Sequence, residues 1–183
     1  MNSILKKFKI TTKLTIGFCA VAVLIICLCL VSYFSFVSYS KANKLNIHTY
    51  DVLASLHGIA ESMLNMETGQ RGFSLTGDEK FLEPYIMGKS NFKQHYESAI
   101  NLTSDNPKQQ ENLENILFNE QNWYAIAEKS ISLRHETHIN NAKLNAVIDM
   151  EKTSQGKIYM DTSRELIKNS ETIVFRPGQI GRV

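Results

Sequence analysis

The sequence predicts an all-α protein in which one N-terminal transmembrane helix continues into an up-down-up-down four-helix bundle. Three observations carry that expectation. Leu14 to Ser40 is a run of 27 residues without a charge, apolar residues beyond it recur at steps of three and four, and only 3 prolines fall in 183 residues. A composition of 43% hydrophobic and 21% charged residues excludes wholesale disorder and a collagen-like repeat.

On this reading the chain divides into a basic tail (1–13), the span (14–40), a four-helix domain (41–170) and an irregular tail (171–183). As a helix the span is roughly 40 Å long, more than the ~30 Å hydrocarbon core of a bilayer requires. Tyr33 and Tyr39 lie toward its C-terminal end, where amphipathic rings settle at a headgroup boundary. A cleaved signal peptide has an apolar region of about 7–15 residues and a small-residue cleavage pattern, which this segment lacks. A lipoprotein site at Cys27 is poorer still, because Ile26 stands where a small residue is needed. Lys6, Lys7, Lys9 and Lys13 precede the span, and all 18 acidic residues lie beyond position 41. Positive charge stays on the cytoplasmic side, so the expected topology is single-pass in the inner membrane, N-terminus inside and C-terminal domain outside. Without those four lysines, 16 basic residues face 18 acidic ones, a net −2 that argues against a nucleic-acid partner. Cys19, Cys27 and Cys29 all fall within the span, which leaves the exported part without a disulfide or a cysteine-based site.

The first exported helix carries Val52, Leu56, Ile59, Met63, Met66, Gln70 and Phe73 at a 4-3-4-3-4-3 spacing, one seam with Gln70 as its only polar member. From Leu14 to about Ser74 the pattern allows one nearly continuous helix. Thr76-Gly77-Asp78 interrupts it, and Asp78 suits the N-cap of the next helix. That second helix carries Phe81, Tyr85, Phe92, Tyr96 and Ala99 on one face, with Pro84 producing a short first turn or a kink. At the next boundary Asn106 suits an N-cap, Pro107 the first helical position and Gln109 the capping-box position. The third helix carries Leu113, Leu117, Tyr124, Ala127 and Ile131, with Ile116 and Trp123 beside them. A turn near Thr137 to Asn141 leads to a fourth helix, roughly Asn141 to Lys168. Its stripe of Leu144, Val147, Ile158 and Leu166 is interrupted by Glu151 and Asp161.

Residues 67 to 85, ETGQRGFSLTGDEKFLEPY, hold the densest motif. Glu67, Gln70, Arg71, Gly72, Phe73, Leu75, Thr76, Gly77, Asp78, Phe81, Leu82, Pro84 and Tyr85, behind a membrane helix, resemble the third type of the CHASE sensor domains. A looser echo lies in Gly156, Met160, Asp161 and Arg164. The likeness spans about residues 40 to 170. It implies an extracellular four-helix input module of the kind found on bacterial histidine kinases, diguanylate cyclases and chemoreceptors, usually dimeric. Such receptors normally continue through a second membrane helix into an output domain. Here the longest apolar run of the C-terminal tail is Ile173 to Phe175, so the expectation is a receptor truncated before both.

Beside the resemblance, the residues have their own chemistry. Gly69 and Gly72 permit close approach by a neighbouring helix or a bound group. Arg71 offers a planar fork suited to carboxylates, with Glu67 four residues earlier on the same face. Glu67, Arg71 and Asp78 are therefore expected either to clasp the helix hairpin or to serve in ligand binding or signalling, together with Gln70 and Tyr85. Phe92, Tyr96, Trp123 and Tyr124 are expected in the core, with a small-molecule pocket between helices as the alternative. His135-Glu136-Thr137-His138 lacks the spacing of a zinc-protease helix, and His48, His57 and His95 are isolated. No metal site, cofactor or catalytic set is therefore expected. The functional expectation is a membrane-anchored extracytoplasmic sensory module that signals by helix repacking, not by catalysis. Its expected partners are the lipid bilayer, a second copy or an intact receptor, and an unidentified small-molecule or protein ligand. The alternative is a membrane-tethered interaction or scaffold protein.

Overall fold

The computed structural model describes residues 10–136 and 142–174, every element helical. The order is α1 (Ile10–Thr76), a 3-10 turn (Glu79–Phe81), α2 (Leu82–Leu102), α3 (Pro107–Glu136), α4 (Ala142–Lys152) and α5 (Gln155–Val174). The chain forms two compact units, Met1–Asn46 and Ile47–Val183, and α1 contributes to both. In the first unit Ile10–Ser40 is long and apolar enough to cross a membrane, and none of it is buried within the protein. Helix begins at Ile10, so Lys13, assigned to the tail by charge alone, is already helical.

In the second unit α1, α2, α3 and the α4–α5 pair form an up-down-up-down four-helix bundle. Cross-helix contacts set the antiparallel order. Ser55 of α1 meets Ser98 of α2 at 2.8 Å, while Gly69 lies against Phe81 and Tyr85. Tyr85 of α2 reaches Glu128 of α3, and Gln110 of α3 reaches the Ile100 carbonyl. Gln109 of α3 donates to the Ser170 carbonyl of α5 at 2.8 Å, and Trp123 faces Gly156.

The core follows the expected periodicities most closely on α1, where all seven seam positions from Val52 to Phe73 are buried, Gln70 included. On α3 Leu113, Ala127 and Ile131 are buried as expected and are joined by Ile116 and Trp123, whereas Leu117 and Tyr124 sit at the core margin. Phe81 does not join the α2 face. It lies in the 3-10 turn, 41% exposed, its ring edge covering Gly72.

The α1–α2 hairpin turns where its sequence indicates. Gly77 has φ +71°, the left-handed conformation that ends a helix most easily without a side chain, and its N–H reaches the Phe73 carbonyl at 2.7 Å. Asp78 then caps the 3-10 turn by accepting from the Lys80 N–H at 3.0 Å. At the start of α3, Asn106 accepts from the Gln109 N–H at 3.2 Å, the expected N-cap. The reciprocal half of the capping box does not form. The Asn106 N–H is already bound to the Thr103 carbonyl, and the Gln109 side chain is drawn to α5 instead.

The fourth helix departs from expectation. It is broken after Lys152, and Ser154 takes φ +56°, which resets the helical phase. The stripe therefore fails across the break: Val147 is buried, but Leu144 and Ile158 are exposed, and Met160, Ser163, Ile167, Ser170 and Ile173 form the buried face of α5. Helix α5 also runs to Val174, so the first residues of the expected irregular tail are helical. The expected turn at Thr137 to Asn141, His138 and the tail beyond Val174 lie outside the described residues.

Candidate functional site

Halfway along the bundle, polar groups from α1, α3, α4 and α5 replace the apolar core. Glu67 is 6% exposed and is bracketed by two guanidinium groups. Arg71, one turn on, donates from Nη1 to Oε1 at 2.9 Å, and Arg164 of α5 donates from Nη2 to Oε2 at 2.6 Å. A buried carboxylate needs such pairing, because desolvation without it costs on the order of several kcal/mol. Arg164 is itself held by Asp161 at 2.8 Å, and Asp161 pairs with Lys157. The Lys157 hydrogen bond is the main reason that the Asp161 carboxyl lies below its usual range, with Arg164 adding to it.

One turn along α1, the Gln70 amide nitrogen is shared among Ser74 at 2.8 Å, Ser130 at 3.1 Å and Glu151 at 2.7 Å. Ser130 also donates to Glu151 at 3.2 Å. An amide NH2 has two hydrogens and three acceptors here, so this layer can exchange partners without leaving a buried donor bare. Beside it opens a cleft of about 60 Å³ lined by Gln70, Arg71, Trp123, Glu151, Ser154 and Lys157, among others. The volume suits a few waters or a small organic ion.

Three of the five expected signalling residues, Glu67, Gln70 and Arg71, thus meet in one layer. The other two do not join it. Asp78 is engaged as a cap beyond the end of α1 and takes no part in a clasp with Arg71, because Gly77 turns the chain before it. Tyr85 packs between α2 and α3, its hydroxyl donating to Glu128 at 2.7 Å and its ring stacked on Tyr124 at 6.2 Å. Burial, then that hydrogen bond, pushes the Tyr85 phenol well above its ordinary range. Glu128 moves the other way, stabilised as a carboxylate by hydrogen bonds from Tyr124 and Tyr85.

The expected aromatic set separates. Phe92 and Tyr96 stack on each other at 5.9 Å, Tyr124 carries Lys89 over its ring, and Trp123 alone of the four lines the polar cleft. Sequence reasoning missed Ser130, Glu151, Ser154 and Lys157 as members of the site. Glu151 carried the one usable signal, as the charge that broke an apolar stripe. Arg164 was visible only in the looser downstream echo. Among the described residues no group of three or more His, Cys, Asp and Glu is placed to hold a metal ion.

The sequence model of the CHASE3 domain matches residues 42–176. No match to the chain was found among curated proteins or among solved structures.

Proposed function

The chain belongs to the CHASE3 domain family, whose members are extracellular sensory domains of signalling receptors, and from that premise we propose that it is the membrane-anchored extracytoplasmic input module of a bacterial receptor. Its action is conformational, not catalytic. The observation that carries this reading is the course of α1, which includes both the apolar segment and the bundle seam with Glu67, Gln70 and Arg71. A change in the partners of those three residues alters the packing of the helix that enters the membrane, by a small slide or rotation between two arrangements. The four N-terminal lysines support an orientation with the N-terminus inside and the bundle outside the inner membrane. A homodimer is the expected signalling unit.

The test replaces Arg71, which is half exposed and whose loss leaves Glu67 its second partner Arg164, in a chimaera joining residues 1–174 to a second membrane helix and a diguanylate cyclase. Single cysteines at the exposed positions Asp51, Ala54, Glu61 and Leu64 report the α1–α1 arrangement after Cys19, Cys27 and Cys29 are removed. Arg71→Ala is expected to change both the crosslinking pattern and the cyclase output while helicity is retained. A folded variant with both readouts unchanged leaves a tether or scaffold and overturns the sensory reading.

A further inference from the structure

The buried seam of α3 runs Leu113, Ile116, Glu120, Trp123, Ala127 and Ser130 at steps of three and four, and Glu120 is its one ionisable member. It is 9% exposed, and among the described residues nothing hydrogen-bonds or ion-pairs with its carboxylate. Glu67, buried to a similar depth on α1, is instead held by the two guanidinium groups of Arg71 and Arg164. A carboxylate placed as Glu120 is costs more than the neutral acid in the same place, because little replaces the water it has lost. Its small exposed part still lets a proton come and go.

The charge that acts on Glu120 is Lys89 of α2, and Lys89 is also engaged elsewhere. Its ammonium donates to the Tyr124 hydroxyl and lies over that ring, 4.0 Å from the centroid. Tyr124 in turn donates to Glu128, which also accepts from the Tyr85 hydroxyl at 2.7 Å. The titratable groups of this cluster are therefore Tyr85 and Lys89 of α2 with Glu120, Tyr124 and Glu128 of α3. No charged side chain of α1, α4 or α5 pairs with any of them among the described residues. Glu120, Tyr124 and Glu128 follow at four-residue steps, so Lys89 serves two carboxylates roughly 12 Å apart along the helix axis. Burial holds Glu120 above the usual carboxylate range, with Lys89 only partly offsetting it, while hydrogen bonds hold Glu128 below that range. On acidification Glu120 loses its charge first and Glu128 keeps its own.

We propose that Glu120 is an acid-sensing switch of this input module. When the medium outside the membrane acidifies, its carboxylate takes up one proton from water. Lys89 then loses one of the two negative charges that hold it and shifts along α3 toward Tyr124 and Glu128, and α2 moves with it. Lys89 directly follows Gly88, where the backbones of α2 and α1 approach closely: a Cβ on Gly88 would lie 2.7 Å from the Ser62 carbonyl oxygen. A crossing without slack passes a movement of α2 to α1, the helix that includes the apolar segment. The proposal rests on the sensory reading and supplies its stimulus, a proton.

The experiment has two parts. Difference infrared spectroscopy follows carboxyl protonation of the full chain in nanodiscs from pH 8 to 4, and the chimaera is assayed for α1–α1 crosslinks and cyclase output in intact cells as the external pH is varied. A protonated-carboxyl band is expected to appear at higher pH than that of the exposed glutamates and to be absent from Glu120→Gln. Lys89→Met, at an exposed position, removes the neighbouring cation and is expected to raise the midpoint of that band by about one pH unit or more. Crosslinks and output are expected to change over the same pH range. Glu120→Gln, uncharged at every pH, is expected to hold the acid pattern throughout with helicity unchanged. A Glu120 band that titrates with the exposed carboxylates overturns the proposal. So does a pH response that survives Glu120→Gln, and its loss in His57→Gln or His135→Gln would assign it to the exposed pairs with Glu171 and Glu79. If nothing follows pH while Arg71→Ala still alters crosslinks and output, the acid switch falls and the sensory reading stands. If neither pH nor Arg71→Ala alters them, both fall.

Discussion

Glu120 and Glu128 lie two turns apart on α3 and titrate in opposite directions for reasons visible in their neighbours. Burial dominates at Glu120 and raises its pKa above 4.5, with Lys89 only partly offsetting it. Hydrogen bonds from Tyr124 and Tyr85 lower Glu128 below 4.5 despite some burial. A carboxyl with a raised folded pKa favours the folded state most at low pH, and that contribution is lost as pH rises from about 4.5 through the folded value. A depressed one contributes above about 4.5 and loses its effect as pH falls through the folded value. Glu120→Gln is therefore expected to raise the melting temperature at pH 7 and to flatten its decline above pH 4.5. Glu128→Gln is expected to lower the melting temperature at pH 7 and to have little effect in strong acid. Thermal denaturation from pH 3 to 8 checks both, and the same sign for the two variants at pH 7 refutes the assignment. Neither residue stood out in the sequence, where a glutamate on a helix reads as a wet face. Burial and partner choice are tertiary properties, whereas Gln70 on the α1 seam and Glu151 in the fourth helix's stripe announced themselves by breaking an apolar period.

Helices were legible wherever one local rule decided them. The α1 seam is fixed by a strict heptad, the first turn by Gly77 and Asp78, and the start of α3 by Asn106-Pro107. The fourth helix was misread because no Gly or Pro occupies its break: Thr153 and Ser154 are neutral in sequence, yet Ser154 takes the left-handed conformation there. The close crossing of α1 and α2 depends on small residues in a way that separates two glycines. A Cβ at Gly88 would lie 2.7 Å from the Ser62 carbonyl oxygen and 3.1 Å from the Met66 nitrogen, both backbone atoms that cannot step aside. A Cβ at Gly156 would meet Trp123 at 3.4 Å, ordinary contact. Gly88→Ala is expected to cost about 1–3 kcal/mol by forcing the helices apart, whereas Gly156→Ala costs nothing measurable because helix propensity offsets the contact. Denaturant titration monitored by circular dichroism distinguishes them. Equal effects of the two substitutions would show that the α1–α2 spacing is not set by that crossing.

At the scale of the whole chain, what the sequence makes plain is its asymmetry: four lysines, an uncharged span, and then every acidic residue. The bundle is held by groups that tolerate water at their margins, since Arg71 and Arg164 are both about half exposed while the carboxylate between them is not. The span has no such partners, and its apolar side chains are exposed over the whole of Ile10–Ser40. A surface of that extent suits lipid, and on the membrane-anchored reading proposed above an intact bilayer divides the chain chemically. The outward topology makes a prediction that the native cysteines help to test. Cys19, Cys27 and Cys29 all lie inside the span, so a membrane-impermeant maleimide should leave the unaltered chain unlabelled on intact cells. With those three replaced by alanine, Ser90→Cys on the exposed face of α2 should label on intact cells, and Ser3→Cys only after the membrane is opened. The opposite pattern, Ser3→Cys labelled from outside and Ser90→Cys protected, would put the bundle in the cytoplasm. The polar layer would then be cut off from any external ligand, and the extracytoplasmic reading would fail.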